Sequence, residues 1–479
     1  MQTASGRYAV TVDGPDDVDL SQFGYRQELR RTLGLRDLLT YGLIFMVPIA
    51  PFGIFGGVFA ASGGMVALAY AVGMVAMVFT AVSYAQMVRA FPMAGSVYNY
   101  AGRGIGAPVG FLAGWAVLLD YVLVPGLLSL IAAVAMNATV PAVPVWVWIA
   151  GFVGLNTVVN LFGIRMTAMV TRWFLAGELA VLAVFLYFAV RALLDGKAGG
   201  FSLGRVLDPL YNAEMFSWPV VFAAVSVAML SFLGFDGISM LAEENRGGAG
   251  QIGRAMIAAL GVAGALFVAQ TWMAALLVPD PGKLLAEGDP GGTAFYDAAE
   301  AAGGAWLATL TAVATALAWG VANSLVAQVA TSRLLFAMAR DRQLPGFLSR
   351  VSVRHAVPVN AVVLVAVVSL GLGLYMASRD DGIALLAGLI NFGAVLAFVT
   401  LHVAVVWHYV VRHRSRNLLA HLVCPLVGGG LLVAVAIHAN VLAQRVGLIW
   451  LGGGVLVLAG LWLSGRRPTL SGLSSGERS

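Results

Sequence analysis

Apolar residues in this chain fall in long runs separated by short polar segments, without the alternation that marks half-buried strands. Twelve such runs can be drawn, at 37–61, 65–89, 107–136, 144–161, 168–194, 217–243, 254–278, 305–336, 358–378, 383–411, 418–439 and 446–464. A helix that crosses hydrocarbon needs about 20 mostly apolar residues. Runs of this length, with no period of two, predict membrane-spanning helices rather than the strands of a barrel. The expected fold class is therefore an all-α integral membrane protein with twelve transmembrane helices, numbered here as spans 1–12.

Composition and charge sharpen this picture. Of 479 residues, 60% are hydrophobic and 11% charged, and the mean hydropathy is +0.88. A soluble chain carries about 25% charged residues, so water is not the solvent of most of this surface. With the N-terminus inside, 22 Lys and Arg fall on the cytoplasmic side and 6 on the outer side: Arg191, Lys197, Arg205, Lys283, Arg379 and Arg445. That bias predicts both termini in the cytoplasm and a multi-pass protein of the inner membrane. The net charge of +5 then reflects topology and gives no support for nucleic-acid binding. Residues 1–36 are polar with no apolar h-region, which reads as a cytoplasmic arm rather than a signal peptide. Residues 465–479 form a cytoplasmic tail. A single cysteine, Cys424, excludes an internal disulfide and reads as a packing residue.

Two spans depart from the rest. Span 1 carries Met46-Val47-Pro48-Ile49-Ala50-Pro51-Phe52-Gly53, and span 6 carries Ser231-Phe232-Leu233-Gly234-Phe235-Asp236-Gly237. Each proline removes a backbone donor and crowds the preceding turn. In span 6 a carboxylate stands near two glycines at mid-depth. Ordinary kinks are common in membrane helices, but interrupted helices in matching positions of two halves point to a transporter with inverted repeats. The two segments lie five spans apart. This predicts a core at 37–411 built from inverted repeats at 37–194 and 217–411, with two additional helices at 412–464.

The stretches FPMAGSVYNYAGR (91–103), SFLGFDGISMLAEENR (231–246), RLLFAMARDRQLP (333–345) and VPVNA (357–361) resemble, in this order and spacing, the amino acid–polyamine–organocation (APC) family. The resemblance covers about residues 34–410. It implies a five-plus-five inverted-repeat fold, broken helices 1 and 6, and alternating access. Within the family, GWAVLLDYVLVP (114–125) and TAVSYAQMVRAFPMAGSVYNYA (80–101) look most like bacterial putrescine importers. Amino-acid carriers of the family usually have a Gly-Ser-Gly-like break in helix 1, and some putrescine importers have an aspartate there. This chain instead reads Ala50-Pro51-Phe52-Gly53.

The candidate site follows from these segments. A carboxylate at mid-membrane is costly unless paired or hydrated. Asp236 is therefore expected to meet a cationic substrate, the alternative being that it caps the broken helix. In span 3, Asp120 and Tyr121 stand together. The resemblance makes Tyr121 a substrate contact, and a ring face contributes about 0.5–2 kcal/mol toward an ammonium; helix–helix packing is the other reading. Pro51, Phe52 and Gly53 belong to the first break. Phe52, Phe232 and Phe235 either gate the site, stack on substrate or simply pack. Glu178 in span 5 aligns where some proton-coupled members place a lysine, which implies a proton-coupling role; a structural hydrogen bond is the alternative. Trp319 and Asn323 in span 8 are weaker candidates.

Other features carry less. Glu243 and Glu244 are expected to pair with cytoplasmic Arg residues, and Arg340-Asp341-Arg342 to form a solvated loop. His402, His408 and His438 have no metal spacing. Gly102-Arg103-Gly104-Ile105-Gly106 lacks the context of a phosphate loop. No metal site and no cofactor are expected, and the chain carries no sign of its oligomeric state. The leading expectation is a secondary transporter, not an enzyme, that imports a small organic cation such as putrescine or another polyamine by proton symport across the lipid bilayer. The alternatives are an amino-acid permease of the same fold, a passive channel and a membrane-embedded enzyme. A channel would show filter repeats, and an enzyme would need a nucleophile–base pair or metal ligands within the spans.

Overall fold

The computed structural model describes residues 31, 33–92, 96–162, 164–197, 200, 203–340, 344–352 and 357–464. Most of the N-terminal arm, the tail at 465–479, the side chains of Glu243 and Arg340, and Asp341 and Arg342 lie outside the described residues. The described chain is all-helical: α1 (Leu35–Met46), α2 (Phe55–Ala61), α3 (Val66–Ala90), α4 (Ser96–Gly104), α5 (Ala107–Thr139), α6 (Val145–Leu161), α7 (Ile164–Leu194), α8 (Leu203–Leu207), α9 (Trp218–Ala228), α10 (Ala249–Leu277), α11 (Pro281–Glu287), α12 (Ala294–Gly303), α13 (Ala305–Leu317), α14 (Ser324–Arg340), α15 (Val359–Ala377), α16 (Gly382–Val405), α17 (Cys424–His438) and α18 (Val441–Leu463). Short 3₁₀ and π segments join several of them. Among the described residues, ten helical segments are long and apolar enough to cross a membrane. The pair Trp218–Phe232 and Phe235–Ala242, bent by 43°, makes an eleventh if it counts as one span. The run expected as span 4 is an apolar helix of 17 residues, Val145–Leu161.

Burial orders these helices from centre to edge. The most apolar stretch of α5 is 78% buried and packs against α4, α6, α13, α14, α15, α16 and α18. The corresponding stretch of α18 is 11% buried. α5 is thus central, and α18 offers most of its surface to lipid.

The first break begins earlier than the sequence suggests. α1 ends at Met46, and Val47 takes φ 55° and ψ 100°. A proline next in sequence disfavours helical backbone at the residue before it, and Pro48 stands there. A β-branched residue at positive φ is strained. The chain resumes as a 3₁₀ turn at Ala50–Gly53 and then α2. The Pro48 carbonyl, left without a helical partner, accepts a bond from Gln270 Nε2 of α10 at 2.9 Å.

The second break turns on Gly234. Leu233 is extended at φ −63° and ψ 144°, and Gly234 has φ +105°. A Cβ on Gly234 would lie 2.8 Å from the Phe45 carbonyl oxygen. The chain then continues as a 3₁₀ helix, Phe235–Glu244. The two breaks therefore touch through Phe45. They are joined again further along, where Leu33 N–H donates to the Glu244 carbonyl and Arg246 N–H to that of Leu33, both at 3.0 Å.

Candidate functional site

Asp236 sits just after the second break and is 5% exposed. The Tyr121 hydroxyl donates to its Oδ2 at 3.2 Å, that of Tyr84 at 3.4 Å and that of Ser96 at 3.5 Å. Hydrogen bonds to an anion are the strong ones, and three helices deliver hydroxyls to this one. Asp236 faces a cavity. Phe45, Met46, Ala50, Asp120, Leu230 and Trp319 are among its other neighbours there. The cavity offers about 40 Å³ to water centres, room for about three waters. None of its lining residues is Lys or Arg.

The sequence explains how Tyr121 is held. Pro125 lies four residues on, inside α5, and has no N–H to give the Tyr121 carbonyl. The Thr331 hydroxyl of α14 donates to that carbonyl instead, at 2.6 Å. Span 8 is also irregular, with a π segment at Ala318–Asn323. Such bulges recur at functional sites. Asn156 Nδ2 donates to the Gly320 carbonyl at 2.7 Å, and the segment carries Trp319 and Asn323 into the cavity wall. Among the described residues, Trp319 Nε1 and Asn323 Oδ1 have no hydrogen-bond partner.

Of the expected site residues, the structure brings Asp120, Tyr121 and Asp236 together in the cavity lining, with Trp319 and Asn323. It does not bring Pro51, Phe52, Gly53, Phe232 or Phe235 into that lining. Ala50 and the end of α1 stand there because the helix leaves α geometry at Val47. Phe52 stacks on Phe295 of α12, with centroids 3.9 Å apart, and meets Phe185 edge-on at 5.9 Å. Phe232 packs on Phe267 and Tyr70, and Phe235 on Tyr84 and Phe398. Gly53 lies against Ile131, Thr315 and Trp319. Tyr84, Ser96 and Thr331 were not singled out as site residues by the sequence. The first two lie in the stretch 80–101 that carries the family resemblance, and the third is required by Pro125.

Glu178 on α7 is 5% exposed and stands apart from this cavity. It lines an apolar crevice with Trp173, Phe174, Val181, Leu310 and Leu317, and its Oε2 has no partner among the described residues. His402 is held by Ser83 at 2.8 Å and Thr80 at 3.3 Å, as a helix–helix contact. Outside the spans, burial pushes the Asp289 carboxyl above the usual range, against the opposing pull of N–H groups of Thr293 and Ala294.

A broken helix carrying a buried carboxylate, beside a small cavity in a helical membrane bundle, defines a solute transporter of the interrupted-helix kind. The chain matches the amino acid permease family over residues 45–453 and belongs to it, within the APC group. It is 31% identical over 450 residues to the low-affinity putrescine importer PlaP of Escherichia coli, covering 92% of this chain and 96% of that one. It is 26% identical to the branched-chain amino acid permease BcaP of Bacillus subtilis, over 83% and 84% of the two chains. It is 25% identical to the methylthioribose transporter of the same organism, over 92% and 94%. The protein is a multi-pass membrane transporter and not an enzyme.

Proposed function

We propose that this transporter imports a small organic cation, a diamine such as putrescine or a related polyamine, by proton symport. One observation carries the reading: Asp236, held by Tyr84, Tyr121 and Ser96, shares its cavity with Asp120 and with no Lys or Arg. The negative charge there needs a positive partner, and an ammonium supplies it. Tyr121 and Trp319 add aromatic rings for the cation. The first break supplies no carboxylate cradle of the kind an amino-acid carrier needs, because Pro51 and Pro48 lack N–H groups. The identity to a putrescine importer supports the same class. An amino-acid substrate is the second reading, favoured by the similarity to BcaP.

Glu178 is our candidate for the coupled proton. A carboxyl buried in an apolar crevice with an unpartnered oxygen suits a group that gains and loses one. We assign 37–194 and 217–411 to two inverted repeats of a twelve-span fold and 412–464 to a peripheral pair of helices. The burial of α18, the lowest among the described spans, supports a peripheral place for it. We place the protein in the inner membrane with both termini in the cytoplasm, on the Lys/Arg bias. Reporter fusions at Lys197 and Arg379 should read as periplasmic, and a cytoplasmic reading at both would refute the topology. For the activity, the test is uptake of labelled putrescine into proteoliposomes under a proton gradient. Saturable uptake with counterflow supports the proposal. Uptake of a neutral amino acid with no response to putrescine would replace it with the second reading.

A further inference from the structure

We propose that Asp120 carries a proton in the ligand-free site and releases it when a diamine binds, but not when a monoamine binds. This inference rests on the organic-cation reading, and the Asp120 proton is distinct from the symported one assigned to Glu178: it leaves and returns on the same face of the membrane. Asp120 on α5 and Asp236 at the second break line one cavity that holds few waters and no Lys or Arg. Two carboxylates sharing such a site ionise together only at high cost, so the pair retains a proton. The distribution of donors decides which member holds it. Asp236 receives the hydroxyls of Tyr84, Tyr121 and Ser96. No hydrogen bond reaches the Asp120 carboxyl among the described residues. The anion belongs on Asp236 and the proton on Asp120.

Among the described residues, no Lys or Arg lines the cavity with the pair. The titratable groups facing Asp236 and Asp120 are Tyr41 on α1, Tyr84 on α3, Tyr100 on α4, Tyr121 beside Asp120, and Glu244 near Tyr41 at the end of the 3₁₀ helix. Arg333 on α14 is the cation acting on Tyr41 and does not line the cavity. His402 on α16 is engaged by Ser83 and Thr80.

The consequence is a distinction between substrates. One ammonium pairs with Asp236 and leaves Asp120 protonated. A second ammonium on the same molecule needs a second anion. The Asp120 O–H bond then breaks, its electron pair stays on the carboxylate oxygen, and the proton leaves to water. Nothing is oxidised or reduced. Asp120 becomes the residue that selects diamines over monoamines, and diamine affinity acquires a pH dependence that monoamine affinity lacks.

The test is calorimetric binding of putrescine and butylamine to the purified full-length protein, in buffers of different ionisation enthalpy. About one proton should leave per putrescine bound and none per butylamine. Putrescine affinity should rise about tenfold per pH unit while Asp120 holds its proton, with butylamine unchanged. Asp120→Asn should abolish the release and bring putrescine down to the level of butylamine, and Asp120→Glu should restore both. If the variants do not fold, infrared difference spectra of the wild type should show a protonated-carboxyl band lost on adding putrescine but kept on adding butylamine. Putrescine binding without proton release, or release that persists in Asp120→Asn, overturns this inference and leaves the organic-cation reading intact. If neither amine binds while a neutral amino acid does, both fall together.

Discussion

The two helix breaks reach the same end by different chemistry. In span 1, proline interrupts the ladder, and the exposed Pro48 carbonyl is satisfied from outside by Gln270. In span 6, a glycine at φ +105° turns the chain, and hydroxyls of Tyr84, Ser96 and Tyr121 hold the nearby carboxylate. The first break therefore presents carbonyl oxygens and apolar side chains. The second presents a negative charge. Among the described residues, the cavity assembled from these two surfaces and Asp120 is lined by no Lys or Arg that could receive a substrate carboxylate. On the proposed reading, the two devices that interrupt the helices leave a site suited to a cation.

Five substitutions would break or sharpen this contrast. Asp236→Asn should have the largest effect, lowering diamine affinity by about 3–5 kcal/mol, as when one partner of a buried ion pair is removed. Titration calorimetry reads it, and near-normal affinity would reduce Asp236 to a cap. Glu178→Gln should abolish proton-driven accumulation in proteoliposomes while sparing substrate exchange. Accumulation at the wild-type level would assign Glu178 to structure. Gly234→Ala should cost about 2 kcal/mol or more of thermal stability, because positive φ and the Phe45 carbonyl both oppose a Cβ. Gly53→Ala, whose Cβ would press on the Ile131 and Thr315 side chains instead, should cost less; equal losses would mean that the two breaks are equally rigid. Gln270→Leu should cost about 1–3 kcal/mol through the unpaired Pro48 carbonyl. A melting temperature unchanged in Gln270→Leu would show that water serves that carbonyl as well.

Much of this was legible in the sequence, and the rest was hidden for physical reasons. Apolar runs of helical length mark an all-helical membrane bundle, since lipid permits few alternatives, and among the described residues ten or eleven helices are long and apolar enough to cross. Asp236 stood out because charge at that depth is rare. The two prolines mark Met46–Gly53 as interrupted, and because Pro48 acts on the residue before it the chain leaves the helix at Val47. Phe52 stood beside a break and looked like a site residue. It packs instead on Phe295, which is distant in sequence and carries no local signal. Tyr84 and Ser96 reach Asp236 only through tertiary packing. The π segment that turns Trp319 and Asn323 into the cavity has no composition of its own. The Pro125–Tyr121 spacing could have been read, since a proline always frees the carbonyl four residues back.

The central claim is that the site is a net-negative cradle for an organic cation. It is tested most directly by competition of labelled putrescine binding to the purified protein by unlabelled diamines and by neutral α-amino acids. The account predicts displacement by diamines at far lower concentrations than by any neutral amino acid, and loss of putrescine binding in Asp236→Asn. Tight binding of a neutral amino acid by a protein that ignores putrescine would contradict it.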